Sequence, residues 1–297
     1  MKGIVSFRRF DINICEYMRD INVEKVTENI KEMCIEANHF LSEDMKGCLY
    51  NAVKTEKSEL GKKVLSSLEE NLEIAEKDMI PICQDTGMAV IFIKIGQEVH
   101  FTGGSLEDAI NEGVRRGYVD GFLRKSVVKD PILRENTKDN TPAIIHYEIV
   151  EGDEVTITIA PKGFGSENMS RVFMLKPADG IEGVKNAVLT AVKDAGPNAC
   201  PPMVVGVGVG GDFEKCAILA KKALTRNVNE HSNIPYVKEL EEELLSKINE
   251  SGIGPGGLGG TNTAFAVNIE TYPTHIAGLP VGINICCHVN RHVTRKI

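Results

Sequence analysis

Three segments of the chain each set a cysteine in a turn-like context beside apolar sequence. They are "PICQDTG" around Cys83, "GPNACPPMVVGVGVGG" around Cys200 and "INICCHVNRH" around Cys287. Thiolates are the ligands of iron–sulfur clusters, and four cysteines usually hold all four irons of a cubane. Three would leave one iron open. An open iron acts as a Lewis acid that takes a substrate hydroxyl and carboxylate and helps the hydroxyl depart. The chain has no CxxC, so neither a zinc ribbon nor a thioredoxin-like pair is supported. In "MIPICQDTGMAV" the cysteine also has an amide, a carboxylate and a hydroxyl beside it: Gln84, Asp85 and Thr86. Burying so many polar groups costs free energy unless each finds a partner.

The remaining cysteines read differently. Cys15, Cys34, Cys48 and Cys216 are expected to be small core residues, two of them on apolar helix faces. Cys286 and Cys287 are adjacent, and strand alternation points them to opposite faces, so at most one faces a shared site. Pattern alone does not choose between them.

Other polar candidates carry competing structural readings. In "RRGYVDGFLRKS", Arg115, Arg116, Arg124 and Lys125 read as a solvated helix end, though an inward arginine can hold a carboxylate bidentately. His275, in "IETYPTHIAGLP", is by default a hydrogen-bonded structural histidine, and otherwise a general acid or ligand. "PKGFGSENMS" is a strand-ending turn whose free backbone N–H groups can also meet an anion. "GVGVGG" (206–211) lacks the GK[ST] ending of a phosphate loop, so a buried strand with a tight glycine turn is the better reading.

These residues need elements to position them. Val23, Val26, Ile30, Cys34, Ala37 and Leu41 recur at helical steps, and Leu60, Val64, Leu68, Leu72 and Ala75 repeat the signal. The first 78 residues are therefore expected to be largely helical. "MAVIFIKIG" (88–96) reads as a strand with "EVHFTGG" as its hairpin partner, and "AIIHYEIV" (143–150) with "EVTITIA" (154–160) reads as a second hairpin across "EGD". Ser105 and Asp108 resemble a capping box opening a helix. Further helices are expected at about 179–194, 212–226 and 235–250, and "TAFAVNIET" and "LPVGINICC" as buried strands. "SGIGPGGLGG" (251–260) is either a linker or a loop approaching a buried site. The fold class is α+β: a helical N-terminal region, then mixed or antiparallel sheets packed with helices.

The 297 residues suffice for one or two domains. Residues 1–17 are expected to be an N-terminal extension and 18–297 one catalytic domain. The start has no apolar h-region or cleavage site, and no apolar run reaches the ~20 residues of a membrane span. A cytoplasmic protein with no membrane partner is expected. Net charge is −8, from Lys+Arg 34 against Asp+Glu 42, which argues against nucleic acid as a partner. Eight cysteines in such a chain suggest thiols kept for metal or chemistry rather than a disulfide scaffold.

Taken together, "PICQDTG", "GGSLEDAINEGVRRGY", "APKGFGSENMS", "NACPPMVVGVGVGG", "ETYPTHIAGLP" and the final "CCHVNRH" resemble the α subunit of two-subunit class I fumarate hydratase. The L(+)-tartrate dehydratase α subunit is closely similar. The resemblance runs from about Met18 to the C-terminus, with the motifs in family order. It implies an iron–sulfur hydro-lyase N-terminal-type domain in which Cys83, Cys200 and Cys287 bind a [4Fe–4S] cluster. The family's terminal motif has its cysteine directly before His, which favours Cys287; Cys286 departs from the pattern. It implies substrate contact or proton handling for Gln84 and Asp85. Arg124, the backbone at Gly165 and His275 match pocket-lining positions, with Asp85 and His275 as catalytic candidates and Asn168 as a further candidate to approach the pocket.

The implied reaction is reversible hydration of fumarate to (S)-malate, with dehydration of L(+)-tartrate to oxaloacetate as the alternative. The resemblance places the carbon base and further Arg and Lys anchors on a separate β subunit, in a heterodimer or heterotetramer. The chain stops ten residues after Cys287, where single-chain relatives continue into a second domain. A non-catalytic iron–sulfur sensor is the reading from another class. It needs only the cysteines and gives no reason for Gln84, Asp85, Arg124 and His275 to accompany them.

Overall fold

The computed structural model describes residues 18–297, so the expected extension 1–17, with Cys15, lies outside the described residues. The chain opens with β1 (Arg19–Asn22) and runs directly into α1 (Val23–His39). Asn22 caps that helix, its side-chain oxygen accepting from Glu24 N at 2.9 Å, a contact worth about 1 kcal/mol. The stripe Val26, Ile30, Met33, Cys34 and Ala37 is fully buried. The helices α2 (Glu43–Thr55) and α3 (Glu59–Asp78) follow, which agrees with the helical reading of this region.

β2 (Met88–Gly96) comes next, then β3 (Val99–Thr102) and α4 (Leu106–Asp120). The expected hairpin of β2 with β3 does not form: β3 pairs in parallel with β1, from Arg19↔Val99 to Asn22↔Thr102. Ser105 does cap α4, its hydroxyl accepting from Asp108 N at 3.3 Å. β4 (Ile144–Val150) and β5 (Val155–Lys162) are both strands, but they are not hairpin partners. β2 lies between them, parallel to β4 and antiparallel to β5. Ala89, Val90, Ile91 and Ile93 are all buried. So apolar a strand is best sheltered with a neighbour on each side, and β4, exposed along much of its length, takes the edge. β10 (Val293–Lys296) completes this sheet against β5, giving the order β10-β5-β2-β4. α1 and α4 cover one face of it.

The second sheet has the order β6-β9-β7-β8. It is built from β6 (Arg171–Leu175), β7 (Met203–Gly211), β8 (Ala264–Thr274) and β9 (Leu279–Cys286). "GVGVGG" is thus part of a buried strand. A short helix α5 (Phe164–Glu167) precedes β6. α6 (Gly180–Ala195) and α8 (Pro235–Glu250) share a core with this sheet. α7 (Phe213–Ala223) packs against β7 and β9. Asp212 caps α7, accepting from Lys215 N at 2.8 Å. Leu49 of α2 and Leu65 of α3 form a third cluster with Val204 and Cys286, closing one end of the second sheet. Cys34 and Cys216 are buried core residues, as their helix faces suggested.

Candidate active site

The loop after α3 carries the first cysteine. Ile82 is fastened on both sides: its N–H donates to Asn38 O at 2.9 Å and its carbonyl accepts from Asn71 at 2.9 Å. Cys83 follows half-buried, and Gln84 is exposed. The polar groups beyond it all find partners. Thr86 Oγ1 donates to Arg124 O at 3.0 Å, and the buried Tyr118 hydroxyl donates to the carbonyls of Thr86 and Gly87. Asn140 donates to Gly87 O and accepts from Ser126 N and Val127 N. This network offsets the desolvation cost that the sequence raised. It also fixes Arg124, whose side chain is exposed, beside the Cys83 loop.

Asp85 joins that loop to a second one. Its Oδ1 accepts from Gly87 N at 3.1 Å and its Oδ2 from Phe164 N at 2.9 Å. A Cβ at position 163 would stand 2.9 Å from Asp85 Oδ2, so glycine there lets the carboxylate come close. Asp85, Ser126, Arg134 and Phe164 line a cavity of about 210 Å³. The second loop is anchored by Lys162, only 4% exposed, whose ammonium donates to Ser166 Oγ at 2.9 Å and pairs with Glu167 at 3.2 Å. Glu167 also pairs with Lys221 at 2.5 Å and accepts from Asn284 at 2.7 Å. Burial pushes the Lys221 ammonium down, against the raising effect of Glu167.

Gly165 is exposed, and its nearest outside neighbour is Asn198 O, 3.8 Å from where a Cβ would stand. The Gly165 loop therefore lies against the 3₁₀ turn Gly196–Ala199, which ends at Cys200. Asn168 is exposed nearby. Cys200 adopts a left-handed conformation, φ 51°, and is exposed. Its carbonyl accepts from His288 N at 3.3 Å and lies 3.0 Å from His288 Nδ1, tying the Cys200 turn to the residue after Cys287. Burial and the neighbouring Cys83 push the Cys200 thiol up, so the two sulfurs lie within electrostatic reach.

The glycine-rich segment 251–260 proves to be a supporting loop rather than a linker. Gly256 N donates to Pro201 O at 2.9 Å, and a Cβ on Gly257 would meet Pro197 at 2.3 Å. Glu56, 2% exposed, holds the loop by accepting from the N–H groups of Thr261 and Asn262. Burial pushes its carboxyl up, but hydrogen bonds from Ser58, Asn262 and Thr261 outweigh this and bring it to about 2.

Cys286 ends β9 inside the core, and Cys287, just past the strand, is half-buried against the same cluster. The adjoining Cys287 thiol, with Lys162 and Arg291, holds Cys286 below the usual thiol range; Cys286 and burial push Cys287 up. Arg291 is 4% exposed. Its Nη2 donates to Asp85 O and its Nε to Pro161 O at 3.4 Å.

Contacts between neighbouring segments thus link the Cys83–Gln84–Asp85 loop, the Arg124 loop, the Gly165 turn, the Cys200 turn and the Cys287 segment. They do not bring His275 there. Gly211 pairs with Thr274 at one end of the second sheet, whereas Val204 pairs with Cys286 at the other. Seven strand residues at ~3.3 Å each separate the two ends, about 23 Å. His275 is exposed, its Nδ1 accepting from Ala277 N at 3.1 Å.

Among the described residues no three His, Cys, Asp or Glu side chains converge as ligands for one ion. Thiols on three separate loops instead suit a multi-iron group whose irons are ligated one by one. A surplus of buried cations beside Cys286 suits an anionic group. Sequence reading missed Lys162, Arg291, Tyr118, Asn140 and Glu56 as parts of the site. The first two stand in the quoted motifs "APKGFG" and "CCHVNRH", but hydropathy patterning gives no sign that a charged residue is buried.

The family model described as "Fumarate hydratase (Fumerase)" matches residues 27–296. The chain is 43% identical over 279 residues to "Putative L(+)-tartrate dehydratase subunit alpha" of Methanocaldococcus jannaschii, covering 92% of this chain and 98% of that relative. It is 30% identical over 275 residues to "L(+)-tartrate dehydratase subunit alpha" of Escherichia coli strain K12, covering 92% of this chain and 90% of the relative. The protein of the same name in strain UTI89 is 29% identical over 278 residues.

Proposed function

This chain belongs to the fumarate hydratase (Fumerase) family, and we propose that it is the α subunit of a [4Fe–4S] hydro-lyase that reversibly hydrates fumarate to (S)-malate. The observation that supports this most is the placing of Asp85: its carboxylate is held by backbone amides of two loops, faces a small cavity, and follows the Cys83 loop within two residues.

In this reading Cys83, Cys200 and Cys287 hold the cluster. When bound, a cluster with one open iron supplies the Lewis acid for a departing hydroxyl. The chain's own residues orient the dicarboxylate around it. Arg124 offers a planar fork for one carboxylate. Gln84 offers an amide donor and acceptor, and the Gly165 backbone an N–H. Asp85, fixed in orientation by two donors, handles a proton at its carboxylate oxygens. The base for the carbon-bound proton and further carboxylate anchors belong to a β subunit. The assembly works in the cytoplasm; among the described residues no helix is long and apolar enough to cross a membrane.

A second reading keeps this machinery and changes the substrate. The relatives at 43% and 30% identity are named for L(+)-tartrate dehydratase. One anaerobic experiment tests both. The chain is reconstituted with iron and sulfide, with and without its β partner, and fumarate absorbance is followed on adding malate. Oxaloacetate is then measured on adding L(+)-tartrate. Malate turnover only with the partner supports the first reading, and tartrate turnover the second. A stable cluster with neither activity would leave the sensor.

A further inference from the structure

Arg291 is 96% removed from solvent and has three directions of hydrogen bonding, of which two are used. Nη2 holds the carbonyl of Asp85 and Nε that of Pro161, so the side chain clamps the Cys83–Gln84–Asp85 loop to the end of β5. Among the described residues its Nη1 is buried without a partner. A buried charged donor left unpaired costs more than an ordinary lost hydrogen bond. The guanidinium also lies within electrostatic reach of the sulfurs of Cys286 and Cys287.

The surroundings repeat the imbalance. Lys162, Lys221 and Arg291 are three cations gathered near Cys286, and Glu167 is the carboxylate that pairs with both lysines. Asp85 is the next acid, and its carboxylate is already occupied by Gly87 N and Phe164 N. Buried cations without a carboxylate partner favour an anion at this place, a role that the Cys286 thiolate and a cluster sulfur can share.

We propose that Arg291 is a positioning residue for the iron–sulfur group, its free Nη1–H donating to an anionic sulfur beside Cys287 while Nε and Nη2 set the Cys83 loop. This rests on the iron–sulfur reading above. Hydrogen bonds to cluster sulfurs and nearby positive charge raise a cluster's reduction potential and slow its loss. Arg291 therefore links cluster retention to the orientation of Asp85.

The test uses the αβ complex, reconstituted anaerobically as wild type, R291Q and R291K. The readouts are the reduction potential of the cluster, the rate of iron release to a chelator, and the melting temperature of the cluster-free protein. R291Q is expected to take up a cluster of lower potential that releases iron at least about tenfold faster. R291K keeps the charge but is a compact ammonium without the planar fork, so it is expected to restore part of the potential while still releasing iron faster. If R291Q does not fold, the release rate of R291K decides. Wild-type potential and release in the folded variants, with or without a lower melting temperature, overturn the role of Arg291 alone. A wild-type complex that takes up no cluster overturns the iron–sulfur reading and this proposal with it.

Discussion

The Phe164 backbone N–H lies 2.9 Å from Asp85 Oδ2 and points its dipole at that oxygen. The contact spans 79 residues of sequence and joins the two loops that meet at the candidate site. With Gly87 N on the other oxygen, the carboxylate has one orientation and a supported negative charge. Asp85→Asn keeps the shape, yet its amide nitrogen must face one of those donors. Turnover by the αβ complex is expected to fall about 100-fold or more, the ordinary contribution of a placed acid or base. Iron content per chain is expected to stay at the wild-type value. Undiminished turnover would remove Asp85 from the chemistry.

Glu56 offers a stability prediction with a defined sign. Its carboxyl stands at about 2 against an ordinary value of 4.5. A depressed folded value gives stability that is present above the unfolded value and lost as pH falls through the folded one. The window is therefore from about pH 4.5 down to 2. The full effect is about 3 kcal/mol by proton linkage. Glu56→Gln is expected to lose much of this in urea unfolding at pH 7, and its deficit against wild type should shrink as both are acidified through that window. A deficit that is constant with pH would show that the charge is irrelevant.

Glu167 sits between the buried Lys162 ammonium, at 3.2 Å, and the half-buried Lys221 ammonium, at 2.5 Å. Removing one partner of a fully buried pair costs about 3–5 kcal/mol, and partial solvent access to Glu167 and Lys221 brings the expected loss to about 1–3 kcal/mol. Glu167→Gln is expected to show that loss in chemical unfolding at neutral pH. Lys221, which burial already pushes down, is the group expected to shed its proton in response. The double change Glu167→Gln with Lys221→Met should recover part of the loss, since it removes a cation with its partner. A single variant as stable as wild type would mean that the ion network is relaxed by solvent.

How far the sequence revealed this arrangement depends on the kind of information. α1, α4 and α8 were legible because their apolar faces repeat at the helical period, and Ser105 and Pro235 mark the starts of α4 and α8 locally. The strands were legible too, but not their neighbours. Alternation says that β4 and β5 exist; it does not say that β2 inserts between them, because ladder hydrogen bonds are made by backbone groups common to every residue. Cys83, Cys200 and Cys287 stood out through residue type and motif. The supporting polar residues did not, since Tyr118, Asn140 and Arg291 act through contacts 13 to 206 residues away in sequence. The choice between Cys286 and Cys287, open in the pattern, is informed by burial: the first faces the third core cluster and the second is only partly buried against it.

His275 separates cluster binding from substrate handling. It lies at the Gly211–Thr274 end of the second sheet, about 23 Å of strand from the Cys286 end. No side-chain motion of an imidazole covers that span. His275→Ala is therefore expected to leave the iron and acid-labile sulfide content of the reconstituted chain unchanged, and iron release to a chelator unchanged as well. Lower cluster occupancy in the variant would contradict the placement of His275 far from the cysteines. The turnover of the same variant then has a definite structural meaning. If it falls while the cluster is intact, the histidine reaches substrate from another copy of the chain, and the pocket is shared between copies. If it is unchanged, His275 is a turn residue whose Nδ1 serves Ala277 N, and the pocket is completed without it.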